Sequence, residues 1–196
     1  MALSLRTRAH SEVGLVRSNN QDSAYVSPRM MMVADGMGGA AAGDLASAVA
    51  IGELQKTDEH LADVQGAGAE SLTGEQVLEL LSGALARAND HLSDLVAWDR
   101  ALDGMGTTVC GAILVSDQYA ICHIGDSRGY LVRDGELRRL TKDHSWVQSL
   151  VDDGKISPDD AASHPHRSLL LKVLNGQPAH TPEFALVDAT LGDCCR

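Results

Sequence analysis

Thr107-Thr108-Val109-Cys110-Gly111-Ala112-Ile113-Leu114-Val115, followed after Ser116-Asp117-Gln118 by Tyr119-Ala120-Ile121-Cys122-His123-Ile124, decides the fold class. Both runs are apolar and β-branched, and the turn at Ser116-Asp117 is too short for anything but antiparallel pairing. Just downstream, residues 129–133 and 136–140 flank Asp134-Gly135, a two-residue hairpin signal. Upstream, Leu3, Leu5, Thr7 and Ala9 alternate with polar neighbours, which predicts an opening strand. Residues 24–26 predict a second strand with a turn at Ser27-Pro28, and the apolar run 30–34 a third, buried on both faces.

Helices fill the gap between these strands. Asp44 is placed to cap a helix over 45–54. The Gly-, Ala- and acid-rich stretch 57–74 has the composition of a surface loop. From 74 to 98, Val77, Leu81, Ala84, Ala88, Leu92 and Leu95 form one apolar stripe, while Glu75, Glu79, Arg87 and Asp94 stay on the wet side. Short helices over 145–153 and 157–162, split by Gly154, and a late strand at 183–187 complete the pattern. Strands interrupted by two long helices, without βαβ alternation, imply an α+β fold.

The 196 residues suit a single domain with a sizeable core. With 16 Lys+Arg against 27 Asp+Glu, the net charge of -11 argues against binding nucleic acid or an anionic membrane, both of which need positive potential. No apolar run approaches the roughly 20 residues of a membrane span. Cys110, Cys122, Cys194 and Cys195 have no metal-ligand spacing, and the adjacent last pair is poorly placed for a disulfide, so a reducing, cytoplasmic setting is expected.

Three stretches carry chemistry. In Val33-Ala34-Asp35-Gly36-Met37-Gly38-Gly39, a strand delivers a carboxylate to its end, and glycines let the backbone approach what Asp35 holds. A carboxylate beside the Gly36 carbonyl suits a hard divalent cation, although an isolated Asp-Gly is more often only a turn. Ile124-Gly125-Asp126-Ser127-Arg128 repeats the arrangement; the plainer reading is a turn aspartate paired with Arg128. In Arg17-Ser18-Asn19-Asn20-Gln21-Asp22, after the apolar residues 13–16, Arg17 could grip a phosphate through two hydrogen bonds, or simply sit in a solvated loop.

A rival reading makes 36–41 a G-x-G-x-x-A dinucleotide loop with Glu53 or Asp58 as the ribose acid. Asp35 beside a pyrophosphate, and the lack of a compact βαβ unit, weigh against it. The histidines form no zinc pattern, His123 suits a packed core position, and Arg138-Arg139 suits a solvated hairpin edge.

In this order, Arg17-Ser18-Asn19-Asn20-Gln21-Asp22, Asp35-Gly36-Met37-Gly38-Gly39, Gly106-Thr107-Thr108, Gly125-Asp126-Ser127-Arg128 and Asp143-His144-Ser145 leading to His164-Pro165 resemble the metal-dependent protein phosphatases, the type 2C Ser/Thr family, in its bacterial form. The resemblance implies an αββα sandwich of two antiparallel sheets flanked by helices, with a flap at about 143–166. It also implies two manganese or magnesium ions that bridge and acidify a water aimed at phosphoserine or phosphothreonine. Asp35 would bridge both ions, the Gly36 carbonyl would hold one, and Asp126 would hold a third. Arg17 would bind and neutralise the phosphate, and Asp22 would bind metal waters. Where many eukaryotic members have His, Met37 stands here and cannot protonate the leaving group. Implied partners are phosphorylated proteins, with a Ser/Thr kinase as the opposing enzyme.

Family members continue from a Leu-Gly-Asp like 191–193 into a strand ending Ser-Asp-Gly, then to Asp-Asn, and those two aspartates complete the first metal site. Neither motif follows Asp193 in this sequence, which ends Cys194-Cys195-Arg196, unlike a strand continuation. A C-terminally incomplete domain is therefore expected, with weak manganese binding, exposed apolar sheet surface and reduced or absent turnover. The alternative is a non-catalytic phosphoprotein-binding fragment; the dinucleotide domain is the remote one.

Overall fold

The computed structural model describes residues 3–15, 17–38, 42–66, 72–178 and 180–196. Strands β1 (Asp22–Val26) and β2 (Met30–Met37) form a hairpin whose turn is pinned by Ser27 Oγ, which accepts the Arg29 and Met30 amides. Helices α1 (Ala42–Gly66) and α2 (Gly74–Trp98) follow. Next come β3 (Gly106–Thr107), β4 (Val109–Val115), β5 (Gln118–Ile124), β6 (Tyr130–Arg133) and β7 (Glu136–Arg139). The short helices α3 (Trp146–Asp152) and α4 (Pro158–Ser163), then β8 (Glu183–Asp188) and β9 (Cys194–Cys195), complete the chain.

The main sheet has the order β1-β2-β4-β5-β8, with β3 attached to β2; a second sheet has the order β7-β6-β9. Every pairing between these strands is antiparallel, as an α+β fold requires. β4 and β5 pair along their whole length, from Val109 opposite Ile124 to Val115 opposite Gln118. Asp134 and Gly135 both take positive φ, the conformation a two-residue hairpin turn needs.

Helices α1 and α2 lie on one face of the main sheet, and the stripe Val77, Leu81, Ala84, Ala88 and Leu92 is buried there with Met30, Met32 and Ile113. Thr73 caps α2 with a reciprocal box: its hydroxyl accepts the Gln76 amide, and the Gln76 side chain accepts the Thr73 amide. Thr73→Ala is expected to cost about 1 kcal/mol, read as a melting temperature lower by about 2–4 °C.

Several expectations are corrected. Residues 3–9 alternate in burial but form no strand; Leu5 N–H donates to the Pro28 carbonyl, and Leu3 and Leu5 pack on the far face of the sheet without a ladder. β2 is buried on one face only, because α1 covers that face while Val33 stays 47% exposed on the other. Asp44 lies inside the first turn of α1, not at its cap, and accepts only the Leu45 amide. The loop expected from 57 is helical to Gly66; Thr57, Asp58 and Leu61 are buried, and Asp58 takes Tyr25 Oη–H and the Arg29 guanidinium. The rest of that stretch, 67–71, lies outside the described residues, as do Val16, Gly39, Ala40 and Ala41.

The terminal cysteines do continue a strand: Cys194 and Cys195 pair with Val132 and Leu131 of β6. Arg139 is no solvated edge but pairs with Asp143. The strand-turn-helix at Gly36 belongs to no parallel unit, since β1, β3 and β4 all run antiparallel to β2. The acids of that rival reading are taken as well: Glu53 pairs with Lys56 and Arg87, and Asp58 with Arg29. On the sheet face away from α1 and α2, Val26, Met31, Val33 and Ile121 help line an open apolar cavity of about 430 Å³.

Candidate metal centre

The hairpin register places Asp22 of β1 directly opposite Asp35 of β2. Two carboxylates facing each other across a ladder repel and destabilise the pair. Asp126, on the turn after β5, adds a third negative charge to the same locality. Asp35 responds: its carboxyl is pushed up to about 6 by partial burial first, then by the charges of Asp22 and Asp126 and a hydrogen bond shared with Asp22. Arg17 pulls it back down, so this cation also sits within electrostatic reach. The Asp126 carboxyl is likewise raised, by burial and by the charge of Asp143, against the pull of Arg128.

The two carboxylate-bearing turns are tied together by Thr108. Its Oγ1 accepts the Asp35 amide at 3.1 Å and meets Ser127 Oγ at 2.7 Å. Its own amide donates to the Asp35 carbonyl at 2.9 Å, and Thr107 Oγ1 donates to the same oxygen. These bonds interrupt the strand between β3 and β4 and set Asp35 against the Asp126 turn. Gly36 is required for closeness: a Cβ there would lie 1.9 Å from the Gly43 carbonyl oxygen at the start of α1. Gly125, at φ +107°, would drive a Cβ to within 2.4 Å of Thr108 Cγ2.

Hard oxygen donors crowded with uncompensated negative charge are the donor set a divalent cation neutralises. Asp35, with Asp22 opposite it, Asp126 within electrostatic reach and the Gly36 carbonyl beside it, offers oxygen donors of the kind a manganese- or magnesium-like ion takes. Of the residues named from sequence, Asp22 lies opposite Asp35, Gly36 follows it, and Asp126 and Arg17 act on its charge. Arg128 does not neutralise Asp126 as a turn partner; it grips Asp143 with both Nε and Nη2, the latter at 2.7 Å.

Three participants were not assigned roles from sequence. Thr108 is one. The others are His144 and Glu183, which lie beside His123 with their ligand-type atoms all within 4.8 Å of one another. His123 fits the expected core position, 2% exposed, and its imidazole is pushed down to about 4 by burial and by His144. His144 stands in a motif the sequence did single out; Glu183 carries no local signal.

Residues 8–152 match the family model for protein phosphatase 2C. The chain is 42% identical over 193 residues to the serine/threonine protein phosphatase PstP of Mycobacterium tuberculosis, covering 98% of this chain and 35% of that protein. It is 37% identical over 166 residues to the serine/threonine phosphatase stp of Listeria welshimeri, covering 82% of this chain and 63% of that protein. It thus spans about a third of the mycobacterial relative and under two thirds of the Listeria one. The crystal structure of M. tuberculosis PstP/Ppp superposes with a TM-score of 0.87 at 41% identity, over 98% of this chain and 77% of that one. A structure of the PstP catalytic domain in complex with two manganese ions gives 0.79 at 38% identity, over 100% of this chain and 74% of that one.

Proposed function

Because the chain belongs to the protein phosphatase 2C family, we propose that it is a manganese- or magnesium-dependent protein serine/threonine phosphatase domain. The observation that carries this reading is Asp22 held opposite Asp35, with Asp126 and Arg17 converging on the same place. Two bound ions would supply an acidified water as the nucleophile. Asp35 would hold both ions and the Gly36 carbonyl one of them, Asp22 would hold the waters on them, and Asp126 would hold a third ion. Arg17 draws in the phosphate of a phosphorylated protein and offsets the charge that builds on it as the ester breaks. Met37 carries no proton to donate, so the leaving group takes its proton from solvent or from another group. The segment 143–166, which includes α3 and α4, is the flap that meets the substrate protein. A serine/threonine kinase supplies the phosphorylated substrate. We place the reaction in the cytoplasm; the four thiols are unpaired, and no described helix is long and apolar enough to cross a membrane.

The test is para-nitrophenyl phosphate hydrolysis by the 196-residue chain beside Asp35→Ala. Weak manganese-dependent turnover is expected, saturating only near about 1 mM metal because few carboxylates surround the ions, and absent in the variant. Turnover equal in the two proteins sinks the reading. If the chain instead retains phosphopeptides through Arg17 without hydrolysing them, it is a phosphoprotein-binding module.

A further inference from the structure

His123, His144 and Glu183 have the residue types of a metal site, but their proton positions say otherwise. The Ser127 carbonyl can only accept, so His123 Nε2, 3.0 Å away, carries the proton and donates. Its Nδ1 is left as a buried lone pair without a hydrogen-bond partner. His144 Nδ1 accepts the Gly125 amide at 3.1 Å, so the neutral ring carries its proton on Nε2. That Nε2 lies 2.9 Å from Glu183 Oε1, off the line of a full hydrogen bond. A cation among the three would need the Nε2 lone pair of His144. Moving the ring proton to Nδ1 would then set it against the Gly125 N–H.

The same bonds describe a clamp. His144 holds Gly125 twice: its ring accepts the Gly125 amide, and its own amide donates to the Gly125 carbonyl at 2.8 Å. His123 holds the Ser127 carbonyl. Asp126 is the residue between these two anchors. Glu183, on the edge strand β8 and also 3.6 Å from Lys172, faces the protonated nitrogen of His144 and fixes its tautomer.

We propose that His144, oriented by Glu183 and assisted by His123, is a positioning residue for Asp126, gripping the Gly125-Asp126-Ser127 turn at both ends so that its carboxylate is presented to the metal. This rests on the reading of Asp126 as a metal ligand. The test compares two half-replacements in the full chain. Asn places an amide oxygen near the position of Nδ1 and keeps the Gly125 acceptor; Gln reaches toward Nε2 and loses it.

Manganese binding is followed by the free-ion paramagnetic resonance signal, exchange of the Gly125 amide by NMR, and melting temperature without metal. His144→Gln is expected to weaken manganese binding about 10-fold and to speed Gly125 exchange, while His144→Asn stays within about 2-fold of wild type in both. The proposal is overturned if both variants bind as wild type, or if both lose affinity in step with melting temperature. Stoichiometric zinc binding lost in His123→Ala and in Glu183→Gln also overturns it, by making the trio a metal site. Should wild type bind no manganese, the ligand reading fails on its own; Gly125 exchange still decides the clamp, with equal protection in the Gln and Asn variants counting against it.

Discussion

Asp35→Asn is expected to abolish manganese binding and, in metal-free solution at neutral pH, to leave the chain more stable than wild type. Asp35 is partly desolvated in the fold, faces Asp22 across the hairpin and feels Asp126, so its carboxyl is raised from 3.8 to about 6. A group that binds its proton more tightly when folded favours folding while protonated and loses that contribution as pH rises. The wild type should therefore lose stability between about pH 4 and 6, and Asn, which has no proton to lose, should not. Asp35 is open to water, so the full shift overstates the energy; after screening, about 1 kcal/mol is expected, or about 2–4 °C. Thermal melts in chelator at pH 4 and 7.5 check it. A variant that melts no higher than wild type at pH 7.5 would mean that the repulsion is relieved without metal.

The largest loss of stability outside the apolar core is expected from Asp143→Ala. The Asp143 side chain is 7% exposed and receives Arg128 through Nε and Nη2, and Arg139 as well. Removing the carboxylate leaves two guanidinium groups facing each other. Stranding buried charges costs 3–5 kcal/mol, but both arginines reach solvent here, so about 2–3 kcal/mol is expected. Urea unfolding should show this as a lower midpoint with an unchanged slope. The residue also precedes His144, so slackness in the Gly125 turn should accompany the loss. A change under about 0.5 kcal/mol would place Asp143 with ordinary surface ion pairs.

Legibility in the sequence followed the range of the cause. β4, β5 and the Asp134-Gly135 hairpin were readable because β-branched runs and a two-residue turn act locally. The α2 stripe was readable because one period runs through it. The continuation of α1 past Thr57 was not, since its composition resembles a loop and what holds it is distant: Tyr25 and Arg29 meet Asp58 only in the fold. The alternation of residues 3–9 misled because it reports which side is buried, not whether a neighbour supplies a ladder.

At the site, Asp35 and Asp126 stood out as acids beside glycine at strand ends. Thr108 stood in a quoted motif, but its bridging role was not readable, because it exists only between turns that lie 73 and 19 residues from it in sequence. Glu183 meets His144 across an even less predictable junction, from the edge strand to the segment before α3.

That Thr108 hydroxyl has a consequence for ion choice. It works as a spacer bar between two jaws, with the Asp35 strand on one side and the Asp126 turn on the other. The backbones that carry the two carboxylates are then fixed against each other on folding, and that part of the ordering entropy is lost before any ion arrives. A loose pair of acids would shrink or swell to suit each cation. A braced pair would make an ion conform, so ionic radius and readiness to shed water would decide which metal such a centre keeps.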